Sequence, residues 1–185
     1  MNVTWVLSNR VSLDPTIDID QLKQHGAIWG SWTTWRAHNT DNVICHDPKK
    51  AQELIDREFH KKCNLYIPNS VYVLLGRPDG VRLYEGELNM DVDNKDELIA
   101  LNLASTINDI ILLLGFDWSA QPKNPDKLLE HRAHNYRNIV NQLLKEKSNV
   151  QWIMVDPDHT VRPEISKLPN FSTDSLKSVL NLLAS

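Results

Sequence analysis

The densest run of chemically capable side chains lies between Trp29 and Asp47. Trp29, Trp32 and Trp35 recur every third residue, a spacing that gathers them on roughly one side of a helical or 3₁₀ turn. Such a side could stack on a base or another ring, with Arg36 beside it to pair an anion. The same tryptophans suit a second role as core anchors, each indole N–H bonded to a backbone carbonyl, and spacing does not separate the two. His38 belongs to the same segment. His38-Asn39-Thr40 has the His-x-Thr form found in two-histidine phosphoesterases, but the chain holds no second copy, so the tripeptide specifies nothing.

Two further groups could handle protons. Cys45-His46-Asp47 has the residue types of a nucleophile set, yet neighbours on an extended chain point to opposite sides, so Cys45 and His46 do not pair. Asp47 already has a sufficient task as the N-cap of a helix that starts at Pro48. That leaves His46 as an acid or base in need of a partner from another strand end, and Asp158 or His159 is the natural choice. Asp156-Pro157-Asp158-His159 supplies carboxylates and an imidazole, enough for acid–base work or a cation, although a proline-containing surface turn has the same composition. His131, His134, Asn135, Asn138 and Asn141 form an uncharged polar stripe at spacings of three and four, which fits a solvated helix face or the lining of a cleft.

Sharper chemistries fail on their motifs. No Gly-x-Gly-x-x-Gly, Walker-type glycine loop, Gly-x-Ser-x-Gly, Cys-x-x-Cys or His-Glu-x-x-His occurs, and six glycines are few for a phosphate cradle. No metal ligand set is assigned and no cofactor is named by any pattern.

These side chains need elements to hold them. Val3–Leu7 is an apolar run that breaks into Ser8-Asn9-Arg10, which reads as a buried strand and its polar exit. A short helix over 18–25 stops at Gly26, and strands follow around Ala27–Trp29 and Val43–Cys45. Asp47-Pro48 opens a helix carrying Ala51, Leu54, Ile55 and Phe59 on one face, and Leu65–Ile67 is the next strand. Val71–Gly76 and Val81–Leu88 flank Arg77-Pro78-Asp79-Gly80, a turn signature that predicts a β-hairpin. One helix is expected from Lys95 to Leu114 and another up to about Lys147, with Ser119–Pro125 as linker between them. Val150–Val155 is a strand, and a last amphipathic helix is capped by Ser172 or Thr173.

Alternating helices and apolar strands predict a single α/β domain over 1–185, with a mixed, partly parallel sheet, flanking helices and an antiparallel hairpin. An α+β arrangement is the alternative, because 94–147 reads as helical throughout. In an open α/β sheet ligands bind beyond the carboxyl ends of strands. The expected site therefore joins Arg10, Trp32, Trp35, Arg36 and His38 as ligand contacts to His46, Asp158 and His159 as acid–base groups.

The composition narrows the function classes. With 185 residues, 41% of them hydrophobic, the chain can bury a core. A net charge of −4 gives no general case for nucleic acid, and the longest apolar run, Ile110–Leu114, is far short of the roughly 20 residues of a membrane span. Two cysteines make no disulfide framework, the N-terminus lacks the features of a secretory leader, and a cytoplasmic location is expected. The mild charge suits a monomer or a homo-oligomer. The expected function is binding of an anionic, ring-bearing, nucleotide-like small molecule, with hydrolysis or group transfer if there is chemistry. The alternative is a non-catalytic protein–protein interaction module that exposes Trp32, Trp35 or Trp118.

Overall fold

A computed structural model describes residues 2–13, 17–85, 94–118, 127–158 and 160–184. Among them, eight strands form one sheet in the order β5-β4-β3-β2-β1-β6-β7-β8, and every neighbouring pair is parallel. The strands are β1 Val3–Leu7, β2 Ala27–Ser31, β3 Asn42–Ile44, β4 Asn64–Pro68, β5 Arg82–Tyr84, β6 Ile110–Leu114, β7 Gln151–Val155 and β8 Phe171–Asp174. The helices are α1 Ile19–Lys23, α2 Trp32–His38, α3 Pro48–Asp56, α4 Asn69–Leu74, α5 Lys95–Ile107, α6 Lys127–Glu146, α7 Pro163–Ser166 and α8 Leu176–Leu183. The chain winds outward from β1 to β5, returns through α5 to β6 on the other flank of β1, and winds outward again to β8. The order reverses between β1 and β6. This is a doubly wound arrangement with its switch point there.

Local chemistry explains the helix starts. The Asp18 carboxylate accepts the Gln21 N–H, Asp47 accepts those of Lys49 and Lys50, and Ser175 accepts that of Ser178, each supplying an otherwise orphan donor with a partner. Strand alternation then sorts the core between the two faces of the sheet. Val6, Ile111, Leu113, Trp152 and Met154 pack with Leu98, Leu101, Val140 and Leu144 of α5 and α6. Trp5, Leu7, Ile28, Leu112 and Leu114 meet Ile19, Leu22 and Val179 of α1 and α8. Beside these, Val43, Leu65 and Ile67 meet Trp35, Ala51, Leu54 and Val71 of α2, α3 and α4. Asn170 is buried where α6, β7 and β8 join, and its amide donates to the carbonyls of Leu144, Lys147 and Val150. No helix among the described residues is long and apolar enough to cross a membrane.

The α/β class and the parallel pairing hold, but the antiparallel hairpin does not. Asn69–Leu74 is helical and Arg82–Tyr84 pairs parallel to β4, because adjacent parallel strands need a crossover rather than a tight turn. Gly76, Arg77 and Gly80, all at positive φ, bring the chain round instead. Val71 faces the core while Val73 and Leu74 are exposed, so a β-branched run here serves a short helix. The single helix over Lys95–Leu114 is likewise corrected. It ends at Ile107, where Asn108 turns extended and its amide bonds the Ala104 carbonyl, and Ile110–Leu114 becomes β6. A strand covered on both faces is apolar at every position, which its sequence shares with a buried helix. With that strand restored, the α+β alternative falls away. Phe171–Asp174 is also a strand, and the last helix is capped by Ser175 instead of Ser172 or Thr173.

Candidate site at the switch point

Beyond Leu7 the chain tightens into a 3₁₀ turn, Asn9–Leu13, lying directly over the reversal in strand order. Ser8 anchors it. Its hydroxyl donates to the Gly115 carbonyl at 2.6 Å, just past the end of β6, and accepts the Arg10 N–H. Gly115 has φ +77°, and a Cβ there would stand 2.5 Å from Val11 Cγ2 and 3.0 Å from Ser8 Oγ. Only glycine lets the two strand exits lie this close.

Asn9 ties the turn to β2 and to the start of α5. Its side-chain oxygen accepts from the Ser31 hydroxyl at the end of β2, and its amide donates to Asn94 Oδ1 at 3.2 Å. Its backbone N–H donates to Glu97 Oε1 at 2.6 Å, in the first turn of α5. Thr34 Oγ1 donates to the Ser8 carbonyl, and the Ser31 hydroxyl caps α2. On the other flank Arg10 reaches Asp117, three residues past β6, with Nη2 and Oδ2 2.7 Å apart. Arg10 is half exposed and Asp117 largely covered.

The electrostatics centre on α5. Asp96 and Glu97 sit at its positive end, where the helix dipole favours negative charge. The Asp96 carboxylate meets His46, which follows β3, at 2.7 Å through Nδ1 and also accepts the His46 backbone N–H. That hydrogen bond holds the imidazole above its ordinary value, against the opposing effect of partial burial. Glu97 is buried beneath the turn, and Tyr136 of α6 donates its hydroxyl to Oε2 at 3.2 Å. Burial pushes the Glu97 carboxyl up to about 7, although the bonds from Asn9 and Tyr136 and the charge of Arg10 pull it down. Burial also raises the Tyr136 hydroxyl. A carboxyl that exchanges its proton near neutrality is suited to acid–base work.

The residues expected from sequence are therefore split. Arg10 is in the cluster, and His38 supports it from the end of α2 by donating Nε2–H to the Val11 carbonyl at 2.8 Å. His46 is there too, but its partner is Asp96. Asp158 is exposed beyond β7, and β3 and β7 stand four strand spacings apart, about 19 Å, so His46 and Asp158 are not brought together. His159 lies outside the described residues.

Trp35 is buried against Phe59, and Trp118 is also buried. Trp32 is half-buried, with the Arg36 guanidinium 4.8 Å and the Lys50 ammonium 5.3 Å from its ring centre. Of the three tryptophans that an interaction surface could expose, Trp35 and Trp118 are therefore covered and Trp32 is the one partly open to solvent. Burial also pushes the Cys45 thiol up, away from thiolate chemistry. In the stripe on α6, Asn135 and Asn138 pair with His131 and His134.

Sequence reasoning misses Asn9 as a clamp, and it misses Ser31, Thr34, Asp96, Glu97, Asp117 and Tyr136. Asp117 is hidden because Ile110–Leu114 reads as the end of a helix, which leaves no strand end for it to follow. Asp96 and Glu97 read as ordinary first-turn acids. The signal available for Glu97 is its place against the run Leu98-Ile99-Ala100-Leu101, whose helical face has to be buried. No three of His, Cys, Asp and Glu among the described residues stand together so as to hold a metal ion. No family model matches the chain and no curated protein matches it in sequence, so its function has to be read from this geometry.

Proposed function

We propose that this protein binds an anionic, ring-bearing small molecule of nucleotide type at the carboxyl ends of β1 and β6, and that it works in the cytoplasm. The supporting observation is the convergence of polar side chains from β1, β2, β6 and α5 at the one reversal of strand order, where open parallel sheets receive ligands. Arg10 takes the anionic group, since it is the half-exposed guanidinium of the cluster. Hydrolysis or group transfer, if catalysed, uses Glu97 or His46 to move the proton. The two cysteines are unbridged, as a reducing compartment requires.

The test is a titration of intrinsic tryptophan fluorescence with nucleoside mono-, di- and triphosphates. Quenching by at least one of them is expected. Arg10→Ala should weaken that binding about tenfold or more, the worth of one charge-assisted contact. A flat fluorescence signal across the whole panel at millimolar concentration would retire the proposal.

A further inference from the structure

Among the described residues the sheet has two outer edges, β5 and β8, and they are furnished differently. The exposed side chains of β8 are Ser172 and Thr173, and its Asp174 accepts from Ser175 and Ser178 at the start of α8. β5 carries neither lysine nor proline, the usual guards of an open edge. Its one charge, Arg82, is drawn inward over the Tyr66 ring of β4, 5.7 Å from the ring centre. Leu83 is 47% exposed, and α4, which packs on β4 and β5, leaves Val73 52% and Leu74 69% exposed. These are three of the five large apolar side chains that stand exposed among the described residues. Apolar side chains scattered singly need no explanation, whereas a group at one open edge marks a contact surface.

The alternation of β5 decides what can fit there. Tyr84 is buried in the core shared with α5, so Leu83 lies on the opposite face, the one α4 covers. A second copy of the same edge pairs with it antiparallel about a two-fold axis normal to the sheet, an operation that keeps each face on its own side. With the axis at Leu83, the two Leu83 side chains meet. Both α4 helices then lie on one face, with Val73 and Leu74 of each copy beside the seam. Charge agrees with this direction. β5 begins at Arg82 and is followed by the exposed Glu85, so antiparallel pairing sets the basic end of each strand beside the acidic end of the other. Parallel pairing would lay Arg82 next to Arg82, and like charges across a strand pair repel.

We propose that this protein forms a symmetric dimer through β5, in which the open edge of each sheet pairs antiparallel with that of a second copy and the two α4 helices close the seam. β5 stands four strand spacings, about 19 Å, from β1, so the dimer does not depend on any ligand at the switch point. One three-residue strand and one six-residue helix from each copy make a contact at the small end of protein interfaces. A Kd on the order of 10–100 µM is therefore expected.

Sedimentation equilibrium of the full chain from about 5 to about 500 µM, which brackets that Kd, tests it. The mass should climb from one chain towards two. Leu83→Lys should raise Kd at least about tenfold, because it sets two ammonium groups opposite one another at the axis. Arg82→Glu and Glu85→Arg should each weaken the dimer about threefold, and the two together should restore it, which residues of purely structural importance would not do. Exchange of the Arg82–Tyr84 amides, fast in the dilute chain, should slow as the concentration rises. A native chain that stays monomeric throughout the range overturns the inference with no variant needed. So does a dimer whose Kd is unmoved by Leu83→Lys, since it would associate through another surface. A double exchange of Arg82 and Glu85 that stays as weak as either single change overturns the antiparallel direction.

Discussion

At the scale of single residues, Glu97 has the sharpest measurable consequence. Its carboxyl is raised from an ordinary 4.5 to about 7 by burial, so the folded chain holds that proton more tightly than the unfolded one. A raised folded value favours the fold below about pH 4.5, and the contribution is lost as the pH climbs through about 7. The loss amounts to about 3 kcal/mol across that interval. Glu97→Gln keeps an acceptor for the Asn9 N–H and cannot ionise, so it should remove most of this slope. Urea denaturation of both proteins between pH 4 and 8 measures it. His46 is raised as well and shifts stability in the same direction, so a smaller slope at the upper end should persist in the variant. An undiminished slope would mean that Glu97 does not carry it. Residues of this kind are hard to see in a sequence. Arg10 is legible because it follows a run that reads plainly as a strand, whereas Glu97 is distinguished from any other first-turn acid only by what packs over it.

At the scale of elements, the two strand exits at the switch point depend on Gly115. Its positive φ, and the 2.5 Å that would separate an added Cβ from Val11 Cγ2, mean that Gly115→Ala has to push the 3₁₀ turn away from β6. The substitution should lower stability by about 1–3 kcal/mol, as expected for a residue forced into a left-handed backbone, and weaken nucleotide binding with it. Chemical denaturation together with the fluorescence titration checks both; unchanged binding at reduced stability would separate the turn from the site. Elements with local signals are legible. Asp18 and Asp47 announce α1 and α3, and Val3–Leu7 and Val150–Val155 announce β1 and β7 within a residue. Elements whose identity depends on the whole sheet are not. Ile110–Leu114 is a strand because β1 and β7 flank it, and Asn69–Leu74 is a helix because β5 must run parallel to β4. Neither fact is written in the residues themselves, since an unbroken apolar run satisfies both periods.

At the scale of the whole molecule, the sheet has a centre and two edges of very different character. β6 is paired on both sides along its length, β1 along its length with β6 and over Thr4–Val6 with β2, and both are buried on both faces, whereas β5 is a three-residue edge strand with Leu83 exposed. Amide hydrogen exchange should therefore be slowest in Trp5–Leu7 and Ile111–Leu114 and fastest among the strands in Arg82–Tyr84. Uniform exchange across the sheet would contradict this gradient. The strand order also imposes a timetable on biosynthesis. The ribosome releases β1 early, but β6, which closes its second flank, follows only after β2 to β5 and α5 have been made. At about 5–20 residues per second the wait is on the order of 10 s. For that interval the middle of the finished sheet is a growing edge, and Trp5, Val6 and Leu7 lie beside it without the neighbours that will later enclose them.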